Sequence, residues 1–385
     1  MGEAETTEIL RRMEALRGEM KRGGVDLYLA VSTDPHTSEY IDDHFKVTEF
    51  FSGCTSDNAT LIVGQEFAGL WTDGRYFISA AAELMGSGIS LMKMGEKGVM
   101  SPGEYLKSVL SKGMTLGFDG RSLLSCDGKK FRKICAESGA SCDSSYAPEE
   151  KLWALRPPLP CHPVWILPKE YRGMEFSEKI ALVRRKMEEY HAHSHVLSKL
   201  DDIMWLLNIR GADVECNPVA LSYAMISPST VDLFLQKGER TAAFDDYAKA
   251  NRVKVHDYDD FFTYLGEYHF EGPVLVDENE TSYATLSIIE SKAEVILKPN
   301  PTKLLKARKN PVETEHIRKT YLKDSAEVCR FLIRMKKMVA DGGVTETGAA
   351  HVMDGLQKAA SCGTGTSEKN IRTTQYQLSR SELSV

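Results

Sequence analysis

The chain has 385 residues, more than one ordinary hydrophobic core accommodates, so two or three domains are expected. With 42% hydrophobic and 27% charged residues it reads as a soluble globular protein, and no apolar run approaches the ~20 residues of a membrane span. A net charge of -7 argues against a nucleic-acid partner, because phosphate neutralisation needs clustered Lys and Arg.

The opening Met1-Gly2-Glu3-Ala4-Glu5-Thr6 has no apolar core for secretion. It loosely fits a myristoylation pattern, but acids flank it and no polybasic patch follows. Residues 7–31 read as an amphipathic helix carrying Ile9, Leu10, Met13, Leu16 and Met20, then a Gly-Gly turn and a strand from Val25 to Val31. The pattern returns at 176–198, where Ile180, Leu182, Val183 and Met187 mark a helix and His193 to Leu197 a strand. Leu16-Arg17-x-x-Met20 matches Val183-Arg184-x-x-Met187 at the same offset at which Asp34 matches Asp201. Further on, Leu91-Met92-Lys93-Met94 pairs with Val253-Lys254-Val255-His256, and Leu116-Gly117-Phe118-Asp119 with Val274-Leu275-Val276-Asp277. Each is a short apolar run ending at a turn residue. Strands alternating with helices imply sheets covered by helices, here in two successive α/β units over 1–160 and 161–305.

The join is Arg156-Pro157-Pro158-Leu159-Pro160-Cys161-His162-Pro163, whose prolines continue neither a helix nor a central strand. A third segment, 306–358, opens with helices. Asn310 caps the first, Pro311 suits its first turn, and Ile317, Tyr321, Cys329, Leu332, Ile333 and Met335 keep helical spacing to about Val339. Asp341-Gly342-Gly343 ends it, and Thr345 caps a second helix. Residues 359–385 lose all periodicity and read as a disordered tail. The eight cysteines, Cys54, Cys126, Cys135, Cys142, Cys161, Cys216, Cys329 and Cys362, form no Cys-x-x-Cys pair and fit reduced cytoplasmic thiols.

Several strings in order carry a resemblance. They are Asp34-Pro35-His36-Thr37-Ser38-Glu39-Tyr40-Ile41, Leu70-Trp71-Thr72-Asp73-Gly74-Arg75-Tyr76-Phe77, Leu200-Asp201-Asp202-Ile203-Met204-Trp205-Leu206, Leu207-Asn208-Ile209-Arg210-Gly211-Ala212-Asp213-Val214 and Lys309-Asn310-Pro311-Val312-Glu313. From about Asp26 to Leu356 the chain resembles the cytosolic Xaa-Pro aminopeptidases, also called aminopeptidase P. Ser52-Gly53-Cys54-Thr55-Ser56-Asp57-Asn58-Ala59 departs from the more glycine-rich turn expected there.

The resemblance implies two creatinase-N-terminal-like domains, each a mixed sheet flanked by helices, followed by the first helices of an incomplete "pita-bread" catalytic domain. It implies an activity that releases the residue preceding proline from peptides. The full-length enzyme would use two manganese ions held by two Asp, one His and two Glu, with a bridging water as nucleophile. None of these ligands can be placed in this chain. The only histidines after residue 300 are His316 and His351, and the only acids after Leu356 are Glu368 and Glu382. The expectation is a chain cut short in its catalytic domain, without metal or other cofactor, inactive alone, cytoplasmic, and free of membrane or nucleic-acid contact. Its partners would be peptides with proline second, and a second copy of the chain as a homodimer. The alternative is a non-catalytic interaction or dimerisation module, or a histone- or peptide-binding creatinase-like protein. Creatinase or prolidase itself is disfavoured, because those relatives resemble a single front unit.

His36, Asp73, Arg75 and Tyr76 are the substrate or interface candidates, and no residue is assigned a catalytic role. His36 follows the first strand, where ligands gather at carboxyl ends; the plainer reading is a turn capped by Asp34. Asp73-Gly74-Arg75-Tyr76 offers an Arg fork suited to a peptide carboxylate, against a structural turn with Arg75 paired across the sheet. His191, His193 and His195 alternate as on one strand face, yet a solvated strand face or turn is favoured over a metal site. Arg210 and Asp213 are expected to pair locally, and Lys303, Lys306 and Lys309 to form an exposed hinge.

Overall fold

The computed structural model describes residues 3–215 and 217–361; Met1, Gly2, Cys216, Cys362 and the rest of the tail lie outside them. The first sheet is built from β1 (Leu27–Val31), β2 (Ala59–Val63), β3 (Ala68–Thr72), β4 (Ser90–Lys93), β5 (Thr115–Phe118) and β6 (Ser141–Asp143). The later strands are β7 (Trp165–Ile166), β8 (Ser194–Leu197), β9 (Ile209–Arg210), β10 (Ser222–Ile226), β11 (Val231–Leu235), β12 (Val253–His256), β13 (Val274–Val276) and β14 (Val295–Leu297). Strands β7 and β9 make a small separate ladder.

The two six-stranded sheets have one topology. Their orders are β4-β3-β2-β1-β5-β6 and β12-β11-β10-β8-β13-β14. In both, the first strand and the hairpin beside it pair antiparallel, and every other neighbour pairs parallel. The α/β class with mixed sheets and flanking helices therefore stands, and the internal repeat has a physical form. Crossover helices cover both faces, so β3, β8, β10 and β11 are buried along their whole length and read as continuous apolar runs.

The helix Glu3–Gly23 lays Ile9, Met13, Leu16 and Met20 on its sheet at spacings of three and four, all nearly inaccessible. Leu10, placed on that stripe by sequence, is 47% exposed: one residue from Ile9 is a 100° rotation, enough to leave the stripe. Its counterpart Phe176–Glu189 buries Ile180, Val183 and Met187 in the same way. The matched arginines do matched work. Arg17 Nε donates to the Gly64 carbonyl (3.0 Å) between β2 and β3, and Arg184 Nε donates to the Ser227 carbonyl (2.9 Å) between β10 and β11. Asp34 and Asp201 do not correspond in this way: the first caps a loop, the second lies in the helix Leu200–Leu207.

Pro311–Ala340 is a 30-residue helix with a full capping box: Glu313 N donates to Asn310 Oδ1 at 3.0 Å, and Asn310 N to Glu313 Oε2 at 2.8 Å. A second helix, Glu346–Ser361, packs back on it, so residues 359–361 are helical rather than tail. The long helix leaves Leu322 74%, Ile333 61% and Leu332 53% exposed.

Candidate functional site

Strands β1 and β3 both run antiparallel to β2, so the loops after them leave the same edge of the first sheet. These loops carry the four sequence candidates. In the first, Asp34 Oδ1 accepts from the backbone N–H groups of His36 and Ser38, both at 2.9 Å, which closes the turn. The turn drives His36 into the second sheet unit. Its Nδ1 lies 2.8 Å from the Ser198 carbonyl and its Nε2 2.7 Å from the Tyr258 hydroxyl. The carbonyl can only accept, so Nδ1 donates and Nε2 accepts from Tyr258. The ring centroid is 4.5 Å from that of Tyr223, and the side chain is fully buried. Burial pushes the imidazole pKa below its ordinary value, so the ring is a neutral connector between the units.

The second loop stays at the surface. Asp73 Oδ1 accepts from Arg75 N and Nε at 3.0 and 3.1 Å, and Oδ2 from Arg75 Nη2 at 2.9 Å and Asn58 Nδ2 at 2.7 Å. These bonds, the Arg75 fork first, hold the carboxyl well below the usual carboxylate range. Asp57, just before β2, comes within 3.7 Å of the Arg75 fork. Desolvation and then Asp57 push the Tyr76 hydroxyl up to about 12, and the Arg75 guanidinium lies 5.1 Å from the Tyr76 ring centroid. The result is a preformed, solvent-facing cluster of one cation, two acids and a phenol. His36 is not part of it: it points to the unit seam.

The three alternating histidines also separate. His191 sits in a turn with φ 58, His193 faces Glu271 at 3.4 Å, and His195 is fully buried. His195 contacts the Leu275 carbonyl at 3.0 Å and Asn300 Oδ1 at 3.2 Å. The solvated strand face read from sequence is therefore wrong for β8, which is covered on both sides, whereas the exposed His191 lies in a turn, the other form that reading allowed. Two further expectations are corrected. Arg210 donates to the Met204 and Ile209 carbonyls, while Asp213 takes His162 N (2.9 Å) and Leu221 N (2.9 Å), so the local Arg–Asp pair does not form. Lys306 is no exposed hinge residue. It ion-pairs with Asp201 and with Asp202, whose side chain is only 1% exposed.

Lys179 and Glu149 are among the buried ionisable groups that escaped the sequence reading. Lys179 donates to Asn208 Oδ1 (2.6 Å) and the Trp205 carbonyl (2.8 Å), and burial pushes its pKa down to about 7. A signal existed: Lys179 lies four residues before Val183 and so shares the buried stripe of its helix. Glu149 is 3.2 Å from the Tyr28 hydroxyl, and burial, then Asp119, push its pKa up to about 7. Pro148-Glu149-Glu150 gives no such signal, because acids are ordinary in a first helical turn. Among the described residues no group of three His, Cys, Asp or Glu side chains is placed to hold a metal ion.

Comparison with known proteins adds a consistent pattern. The family described as the Creatinase/Prolidase N-terminal domain matches residues 155–313. The chain is 31% identical over 338 residues to the Caenorhabditis elegans protein named Xaa-Pro aminopeptidase app-1, covering 86% of this chain and 55% of that one. It is 30% identical over 390 residues to the probable Xaa-Pro aminopeptidase P of Coprinopsis cinerea, covering 96% and 62%. Among solved structures, the X-prolyl aminopeptidase from Caenorhabditis elegans, described as a cytosolic enzyme with a di-nuclear active site, superposes with a TM-score of 0.85 at 30% identity. That match covers 91% of this chain and 60% of the other. The chain thus spans between 55% and 62% of the length of these relatives.

Proposed function

We propose, for a chain homologous along most of its length to the Xaa-Pro aminopeptidases, that it forms the two-domain front of an enzyme releasing the residue before proline from peptides. The domains of this reading are 1–160 and 161–305, with 306–358 opening the catalytic domain. The observation that carries it is the superposition on the Caenorhabditis elegans enzyme over 91% of this chain.

In this reading the front domains position the peptide and do not break it. Asp73, Arg75 and Tyr76 are the residues we assign to the peptide-facing surface, because Arg75 is exposed beside the half-buried Asp73 and Tyr76 and the Asp73–Arg75 pair is already held in place. His36 has a scaffold role, consistent with its burial between the sheets. A pair of manganese ions needs several hard oxygen ligands and an imidazole converging on one point. The described residues do not fit that need, since no three such side chains come together, and no step of hydrolysis is assigned to them. A cytoplasmic setting is proposed from the cytosolic description of the Caenorhabditis elegans protein. Among the described residues no helix is long and apolar enough to cross a membrane.

The exposed apolar residues Tyr321, Leu322, Leu332, Ile333 and Val339 favour a second reading, a dimerisation module. One assay serves the first reading: manganese-supplemented release of the N-terminal residue from an Xaa-Pro peptide by the purified chain. No release is expected, and turnover abolished by a chelator would overturn the assignment. Sedimentation addresses the second: a monomer at high micromolar concentration would rule out the homodimer.

A further inference from the structure

The two sheet units meet along equivalent loops. The loop from β5 into the helix Ser125–Ser138 faces the loop from β13 into the helix Tyr283–Glu290. By the sequence repeat, Gly120 corresponds to Glu278, Leu123 to Thr281, Leu124 to Ser282, Ser125 to Tyr283 and Cys126 to Ala284. Leu124 and Ser282 form an antiparallel bridge with each other. Around that bridge the backbone bonds come in reciprocal pairs. Ser125 N donates to the Thr281 carbonyl (2.9 Å), and Tyr283 N to the Leu123 carbonyl (2.7 Å). Cys126 N donates to the Glu278 carbonyl (3.2 Å), and Ala284 N to the Gly120 carbonyl (2.8 Å). Exchanging each residue for its equivalent turns each bond of a pair into the other. That is the signature of an isologous, two-fold interface, the kind formed by two copies of one surface.

The symmetry is one of the backbone, since the equivalent side chains differ, and the difference in size is greatest at one enclosed contact. Tyr283 is buried against Gly128 so closely that a Cβ there would lie 2.3 Å from the ring. The equivalent pair across the axis is Leu286 and Ser125, also fully buried. Each side of the axis thus has one large and one small residue. Pairing the first unit with its own copy would set Ser125 against Gly128 and leave a hollow on both sides. Pairing the second with its copy would set Tyr283 against Leu286 and collide on both sides.

We propose that this seam is a self-complementary docking edge carried by each unit, whose fitting partner is another copy of such a unit, and that Tyr283 against Gly128 restricts it to unlike pairing within one chain. Interior packing tolerates neither the hollow nor the collision, which gives the restriction its force. In the G128L/Y283S double variant both units carry Ser and Leu at the two positions, and the seam becomes symmetric at this contact.

Thermal unfolding and light scattering of the full chain test this. Alone, G128L is expected to lose soluble expression or drop by many degrees in Tm. Adding Y283S to it should restore soluble, cooperatively unfolding protein, well above G128L and above the sum of the two single effects. The symmetric variant should also populate a larger species than the parent at equal concentration. A double variant no more stable than G128L would overturn the proposal. A measurement on the unmodified chain is independent of these variants: amide hydrogen exchange at Ser125, Cys126, Tyr283 and Ala284. Their protection should be lost together as the seam opens, and strong protection of one unit's pair with fast exchange of the other's would contradict a reciprocal seam.

Discussion

Replacing His36 by alanine tests the contact that joins the first loop to the second sheet unit. The substitution leaves the Ser198 carbonyl and the Tyr258 hydroxyl without their imidazole partner in a fully buried place. A buried polar group left unpaired costs about 1–3 kcal/mol. An imidazole-sized void of roughly 50 Å³ adds about 1 kcal/mol at about 24 cal/mol per Å³. With two such groups the expected loss is about 3–7 kcal/mol in urea unfolding at neutral pH. His36→Phe retains a ring beside Tyr223 but makes neither hydrogen bond, and should fall between parent and alanine. The acid limb supplies a second check. Burial lowers the pKa of both His36 and His195, so the unfolded chain takes up protons that the folded chain refuses. Their contribution is intact above the unfolded value of 6.5 and is lost as pH falls below it, and His36→Ala should shallow that decline. A loss under about 1 kcal/mol, with an unchanged acid limb, would refute the reasoning.

Removing the Lys306 ammonium by alanine leaves the buried Asp202 beside Asp201 uncompensated, and should cost about 3–5 kcal/mol in denaturant unfolding; adding Asp202→Asn should return part of it. Glu149 has its pKa raised to about 7, so its contribution is full below the ordinary 4.5 and is lost as pH rises through 7. Glu149→Gln should therefore gain on the order of 1–3 kcal/mol relative to the parent between pH 5 and pH 8, read from unfolding at each pH. Lys179 has its pKa lowered to about 7, so the parent should lose stability as pH falls from 10.5 through 7, with a slope up to about 1.4 kcal/mol per pH unit. Lys179→Met should flatten that slope, and an unchanged slope would show that the lysine does not titrate there.

The repeat was legible because it is written in local periodicity. Leu16 and Val183, or Met20 and Met187, occupy matching helical stripes, and the matched strand runs proved to be β4 with β12 and β5 with β13. The Asn310 cap was legible for the same reason, and the structure completes it to a capping box with Glu313 three residues on. What escaped depends on contacts distant in sequence. Asp213 finds His162, within the proline-rich join, instead of its neighbour Arg210. Nothing within ten residues of Lys306 announces that it will meet Asp201 and Asp202. His36 sits in an ordinary turn motif, and only the fold reveals that the turn delivers it to Tyr223 and Tyr258. The Asp73–Arg75 pair formed inside one turn, so its geometry was within reach of sequence, whereas its proximity to Asp57 was not.

The most direct test of the proposed role is a calorimetric titration of manganese into the purified 385-residue chain, with residue release from an Xaa-Pro peptide followed in parallel. A front part that presents peptide without holding the metal pair predicts no saturable two-ion binding and no release. Binding of two ions per chain, accompanied by release that a chelator stops, would contradict it.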